Sequence, residues 1–300
     1  MTMIRRDLIK NLSVLPLAGT FLPLESVVGP ASGPLKTGPN IYESIGVDPV
    51  INCVGTYTII GGSLERPAVV EAAHAAAGHF VQYDELAFGI GRRLAEITGA
   101  EWGMVSAGCA AGMKHVTAAC VAGGNPEKMV RIPDLTGFDK TEVVIPRSSR
   151  NAYDHAIRNI GVRIITVNTL EELGKALSPR TAMIYIMTGA DTEPGREFAE
   201  DKIAALAKPL NIPFLVDAAA EDLTVPNVHL QRGATVVAYS GGKALCGPQC
   251  AGLLLGSKAI LMSAWQASSP HHGTGRDNKV GKEEMMGMLA AVEDWVTRDH

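Results

Sequence analysis

From Thr141 onward the chain alternates short, continuously apolar runs with helical stretches, and this alternation restricts the fold more than any other feature. Thr141 to Pro146, Val162 to Val167, Thr181 to Met187, Ile212 to Asp217 and Ala234 to Val237 read as strands. Between them, Asn151 to Ile160, Thr169 to Leu177 and Phe198 to Leu210 read as helices. Strands with no polar alternation need cover on both faces, so the expected fold class is α/β: three layers around a mainly parallel sheet. Upstream, Arg66 to Gln82 and Phe88 to Thr98 read as helices and Glu101 to Val105 as a strand. Ser106 to Gly112 turns into a helix reaching about Ala122, and Glu283 to Val296 forms a last helix. Ligands of such sheets gather at the carboxyl ends of the strands, where Ser106, Arg150, Asp217 and Lys243 fall.

Lys243 has the most telling surroundings. It follows a β-branched run that breaks into Ser240-Gly241-Gly242, and Gly247-Pro248-Gln249 comes soon after. A phosphate-binding P-loop would need Ser or Thr after the lysine and a glycine at the place of Val237; Ala244 and Val237 exclude it. Asp217 ends the preceding apolar run. An amine and a carboxylate at the ends of two neighbouring buried strands fit pyridoxal 5'-phosphate (PLP): the amine takes the aldehyde, and the carboxylate keeps the ring nitrogen protonated. Gly108, Cys109 and Ala110 begin a helix with small residues, which leaves backbone N–H groups for the cofactor phosphate. Tight packing of helix on sheet is the competing account of those small residues.

Ser240 to Gln249 resembles the PLP-lysine motif of the selenocysteine synthase-like group of fold-type I PLP enzymes. Ile51 to Thr58, Ser106 to Gly112 and Gly275 to Glu284 resemble further segments of that group's ammonia-lyase branch, so the likeness spans roughly residues 41 to 300. The resemblance implies PLP held as an internal aldimine on Lys243, which also serves as general base, with Asp217 on the ring nitrogen and Ser240 among the cofactor contacts. It implies α,β-elimination of the ammonia-lyase type, or β-replacement of the selenium transferase type, on a hydroxy-amino acid or amino-sugar acid. Arg276 would approach the cofactor phosphate and Lys279 the substrate, from a neighbouring subunit of a homodimer or higher homo-oligomer. Arg150 and Tyr153, after the Pro146 strand, are candidate substrate contacts. Ser149 stands where relatives carry a histidine close to the ring. That departure keeps open an alternative: a catalytically degenerate PLP- or metabolite-binding homologue or partner subunit.

The chain of 300 residues carries 27 basic and 31 acidic side chains, a net charge of −4, which argues against tRNA as a substrate. Five scattered cysteines make no disulfide framework; Cys246 and Cys250 read as small buried thiols. His271-His272 lacks a third ligand, so no metal is expected. Arg5-Arg6 ahead of the apolar stretch Leu12 to Leu24 reads as a twin-arginine signal, too short for a membrane span, and implies a periplasmic protein; a plain extension on a cytoplasmic protein is the alternative. The expected organisation is a signal segment over 1–32, a linker and arm over 33–50, a PLP-binding large domain over 51–270, and a loop and helix over 271–300. That last stretch would lead toward a small C-terminal domain that the fold type usually carries and that is expected to be missing here.

Overall fold

The computed structural model describes residues 34–39 and 41–300. The signal segment and the first linker residues lie outside them. Two compact units divide at Cys53/Val54. In the first, a short 3-10 turn spans Glu43–Ile45, and buried Ser44 donates from Oγ to the Ile41 carbonyl at 2.6 Å.

The second unit is built on a seven-stranded sheet. In chain order the strands are β1 (Trp102–Ser106), β2 (Glu142–Pro146), β3 (Arg163–Val167), β4 (Thr181–Met187), β5 (Phe214–Asp217), β6 (Val236–Ser240) and β7 (Gly252–Gly256). Their spatial order is β1-β7-β6-β5-β4-β2-β3. All run parallel except β7, which is antiparallel to both β1 and β6. The apolar runs of β2, β4 and β5 are buried along their length, as two-sided cover requires. The sequence reading lacked β7, whose Gly-Leu-Leu-Leu-Gly is too short for periodicity to separate from a loop tail.

The α-helices are α1 (Pro67–Ala77), α2 (Tyr83–Thr98), α3 (Cys109–Ala122), α4 (Pro126–Arg131), α5 (His155–Arg158), α6 (Leu170–Ala176), α7 (Glu200–Ala207), α8 (Val228–Gln231), α9 (Lys258–Ala267) and α10 (Lys282–Thr297). Helix α3 is buried over nearly its whole length, between the sheet and α9. Three expected helices come out shorter. The first stops at Ala77, before Gly78; the next begins at Tyr83, where Gln82 Oε1 accepts from the Glu85 N–H at 2.7 Å. Asn151 to Ile160 is a 3-10 turn (Ala152–Asp154) and a single α-turn, because the Asn151 side chain takes the Tyr153 N–H. Phe198 to Leu210 is helical only over α7, followed by a 3-10 turn that holds Pro209.

All five cysteines are free. Cys250 is exposed rather than a buried thiol, since it lies on the turn that leads into β7. Among the described residues, no helix is long and apolar enough to cross a membrane.

An ionic cluster lies against β6, near the middle of the sheet. His229 of α8 is 2% exposed, with Nδ1 2.7 Å from Glu200 Oε1 and Nε2 3.3 Å from Glu221 Oε2. Burial disfavours the imidazolium, but the hydrogen bond to Glu200 and the charges of Glu200 and Glu221 outweigh it and lift the His229 pKa to about 9. Unfolded, the ring loses its proton near 6.5. The stabilisation is therefore complete below that pH and lost as pH rises toward 9. Thermal melts should show the melting temperature falling between about pH 7 and 9.5, and His229→Gln should flatten that slope.

Candidate active site

The site lies at the carboxyl ends of β1, β5 and β6. Gly252 of β7 stands opposite both Ser106, the last residue of β1, and Ser240, the last of β6. One glycine is thus flanked by the starts of two loops: the one that opens α3 and the one that carries Lys243.

The first loop is a small-residue turn. Gly108 sits at φ 87° and precedes α3 with no side chain capping the helix. The Ser106 hydroxyl donates to the Gly108 carbonyl at 2.9 Å and fixes the turn. A Cβ on Gly108 would point into open space, whereas one on Gly252 would lie 2.4 Å from the Gly108 carbonyl carbon and 2.6 Å from Cys109 N. The turn is therefore pressed onto the strand, with the N-terminus of a 14-residue helix facing open space. Uncapped N–H groups and the helix dipole there favour an anion. The close packing expected of Gly108, Cys109 and Ala110 is present, and it leaves the helix start uncapped by any side chain.

The second loop packs just as closely. Gly241 N–H donates to the Ala251 carbonyl at 2.8 Å, and Gly247 N–H to the Gly241 carbonyl at 2.8 Å. Added Cβ atoms at Gly241 and Gly242 would lie 2.8 Å from the Ala251 oxygen and 2.6 Å from Gln249 Cα. The two glycines are needed for close approach of backbone, and they hold Lys243 half-buried at the end of β6.

Asp217 is 4% exposed. Its Oδ2 accepts from the Tyr185 hydroxyl at 2.9 Å; its Oδ1 accepts from Ala219 N–H at 3.1 Å and from the Cys109 thiol at 3.5 Å. Burial lifts its pKa above the ordinary carboxylate value, while those three donors and the charge of Lys243 oppose the lift. The same lysine charge acts on Cys109, whose thiol burial pushes far up. Lys243, Asp217 and the start of α3 therefore share one electrostatic centre. Ser240 joins them through its N–H to the Ala219 carbonyl at 3.3 Å.

Other expected residues stand elsewhere. Arg150 Nε pairs with buried Asp154, and its Nη1 donates to Thr166 Oγ1 at 2.9 Å, so the guanidinium braces the β2 and β3 ends. Tyr153 is 59% exposed at the same edge. Arg276 and Lys279 are both exposed. Their loop is anchored by Asp277, whose carboxylate takes Lys114 Nζ at 2.7 and 3.0 Å. Ser149 is buried, and its hydroxyl has no hydrogen-bond partner among the described residues. Sequence reasoning missed Tyr185, Asn151, Ala219 and Gly252. Tyr185 left one signal, a lone phenol inside an aliphatic run.

This is the large-domain architecture of fold-type I PLP enzymes, and the residues present fit the cofactor. A D-glucosaminate-6-phosphate ammonia lyase from Salmonella typhimurium is 32% identical over 267 residues, covering 86% of this chain and 70% of that protein. A 5'-C-glycyluridine monooxygenase-decarboxylase from Streptomyces is 32% identical over 269 residues, 85% of this chain and 65% of its own length. An L-seryl-tRNA(Sec) selenium transferase from Proteus mirabilis is 26% identical, over 86% of this chain and 58% of its own. The solved structure of a D-glucosaminate-6-phosphate ammonia-lyase superposes with a TM-score of 0.80 at 31% identity, covering 88% of this chain and 72% of that one. A scan of protein-family models gives no match. The chain belongs to the selenocysteine synthase-like family of PLP-dependent enzymes. Its relatives carry three different reaction names, so membership fixes the cofactor class and leaves the leaving group open.

Replacing Gly252 by Ala should push the Gly108–Cys109 turn off the strand and weaken PLP binding about tenfold, or about 1.4 kcal/mol. Titrating the protein with PLP while following cofactor absorbance measures it.

Proposed function

We propose that this chain holds PLP on Lys243 and catalyses α,β-elimination with release of ammonia from a hydroxy-amino acid or an amino-sugar acid. The observation that carries this reading is buried Asp217 in hydrogen-bond contact with Cys109 at the uncapped start of α3, with Lys243 on the turn after the neighbouring strand β6. When bound, the cofactor supplies an electron sink for charge developing at the substrate Cα. The backbone N–H groups of Cys109 and Ala110 bind its phosphate. Asp217 holds the proton on its ring nitrogen. Lys243 Nζ takes the proton from Cα. The 32% identity and 70% coverage of an ammonia lyase support elimination over the β-replacement of selenium transferases, as does the net charge of −4.

The active assembly in this reading is a homo-oligomer. Tyr57, Ile59, Leu64 and Phe80 are 64 to 104% exposed, an apolar surface that a second copy of the chain would cover. Exposed Arg276 would then meet the phosphate of that copy, and Lys279 and Tyr153 its substrate. Export to the periplasm belongs to the same proposal and rests on Arg5-Arg6 before the apolar stretch Leu12 to Leu24. Ser149 in place of a histidine favours a second reading, in which PLP is bound without turnover.

Ammonia release from a panel of hydroxy-amino acids and amino-sugar acids, by the PLP-loaded protein, separates the two. Elimination predicts turnover, and Lys243→Ala should lower kcat by about 10³-fold or more. No turnover across the panel by a PLP-loaded protein supports binding alone.

A further inference from the structure

Asp217 receives its hydrogen bonds through a chain whose direction the structure fixes. The Tyr153 backbone N–H donates to Asn151 Oδ1 at 2.7 Å, which settles the orientation of that amide. Asn151 Nδ2 therefore faces the other way and donates to the Ser149 carbonyl at 2.9 Å and to the Tyr185 hydroxyl at 3.1 Å. A phenol oxygen that accepts on one side turns its single proton elsewhere. The acceptor in reach is Asp217 Oδ2, at 2.9 Å. Tyr185 is fully buried within the aliphatic strand β4, where Phe would fill the same space. Burying a hydroxyl there is unfavourable unless it makes a bond worth having.

We propose that Tyr185, oriented by Asn151, is a positioning residue that keeps Asp217 ionised, and through it keeps the ring nitrogen of bound PLP protonated, with Cys109 as a second donor. The inference rests on the reading above, in which Asp217 faces that nitrogen. A carboxylate offers about four lone-pair sites. Tyr185, Ala219 and Cys109 occupy three and leave one for the ring N–H. The titratable groups that face Asp217 are Tyr185 from β4, Cys109 from α3 and Lys243 from the turn after β6. The first two have their own ionisation pushed up by burial, so both remain donors through the working pH range. Donors to the charged form oppose what burial does to Asp217, and losing one tips the balance toward the neutral acid. A neutral Asp217 no longer holds the ring proton, and the electron sink weakens.

The test follows the ring nitrogen itself. PLP isotope-labelled at that atom is bound to the full chain, and its nitrogen chemical shift is recorded against pH. The unsubstituted protein should keep the protonated signal from about pH 6 to pH 9, and Asp217→Asn should lose it. Tyr185→Phe should move the midpoint of proton loss down by about one to two pH units, the size of one hydrogen bond to a charged group. Asn151→Ala, in a half-buried loop, should move it the same way by less. A titration curve for Tyr185→Phe that matches the unsubstituted protein overturns the proposal. If Tyr185→Phe fails to fold or to take up PLP, an unchanged curve for Asn151→Ala overturns it instead. An unprotonated nitrogen in the unsubstituted protein overturns the assignment of Asp217, and this proposal with it. A purely structural Tyr185 would change the melting temperature and leave the nitrogen titration where it was.

Discussion

A carboxylate held out of water beside an amine is the constraint on which the rest of this structure depends. Burying the Asp217 charge is costly, and it is tolerated because donors arrive from β4, from the turn after β5 and from the start of α3, while Lys243 adds an opposite charge. The start of α3 and β4, far from Asp217 in sequence, must therefore come within hydrogen-bond reach of it. The sheet register delivers them: Met187 pairs with Asp217, and Asp217 with Ala238. A slip of one residue in β5 would turn Asp217 to the opposite face and disconnect it from Tyr185 and Cys109.

The second requirement is close approach of backbone. Strand β7 runs antiparallel between β1 and β6, so that Gly252 faces the last residue of each. The loop that opens α3 and the loop that carries Lys243 are thereby fixed against one strand. Without side chains at Gly252, Gly241 and Gly242, both loops pack directly against neighbouring backbone. The family's reactions differ, as the names of its members show.

Much of this was legible in the sequence. Continuous apolar runs located β2 to β5 to within a residue or two, because a strand covered on both faces has no polar positions to confuse the reading. Lys243 and Asp217 were legible because a charge at the end of an apolar run is conspicuous. Tyr185 was not: one phenol in Thr181 to Met187 looks like core, and its partner Asp217 lies 32 residues away. Asn151 and Gly252 were hidden for the same reason, since their roles exist only once β4 lies beside β2 and β7 lies between β1 and β6. Arg150 shows what spacing leaves out. Its position after β2 was legible, whereas its bonds to buried Asp154 and to Thr166 of β3 were not. Local spacing cannot show such partners.

The most direct test of the account is where PLP attaches. Borohydride reduction of the PLP-loaded protein, followed by peptide mapping, should leave the pyridoxyl label on Lys243 and abolish it in Lys243→Ala. A label on a different lysine, or no label after saturation with PLP, would contradict the assignment of this site.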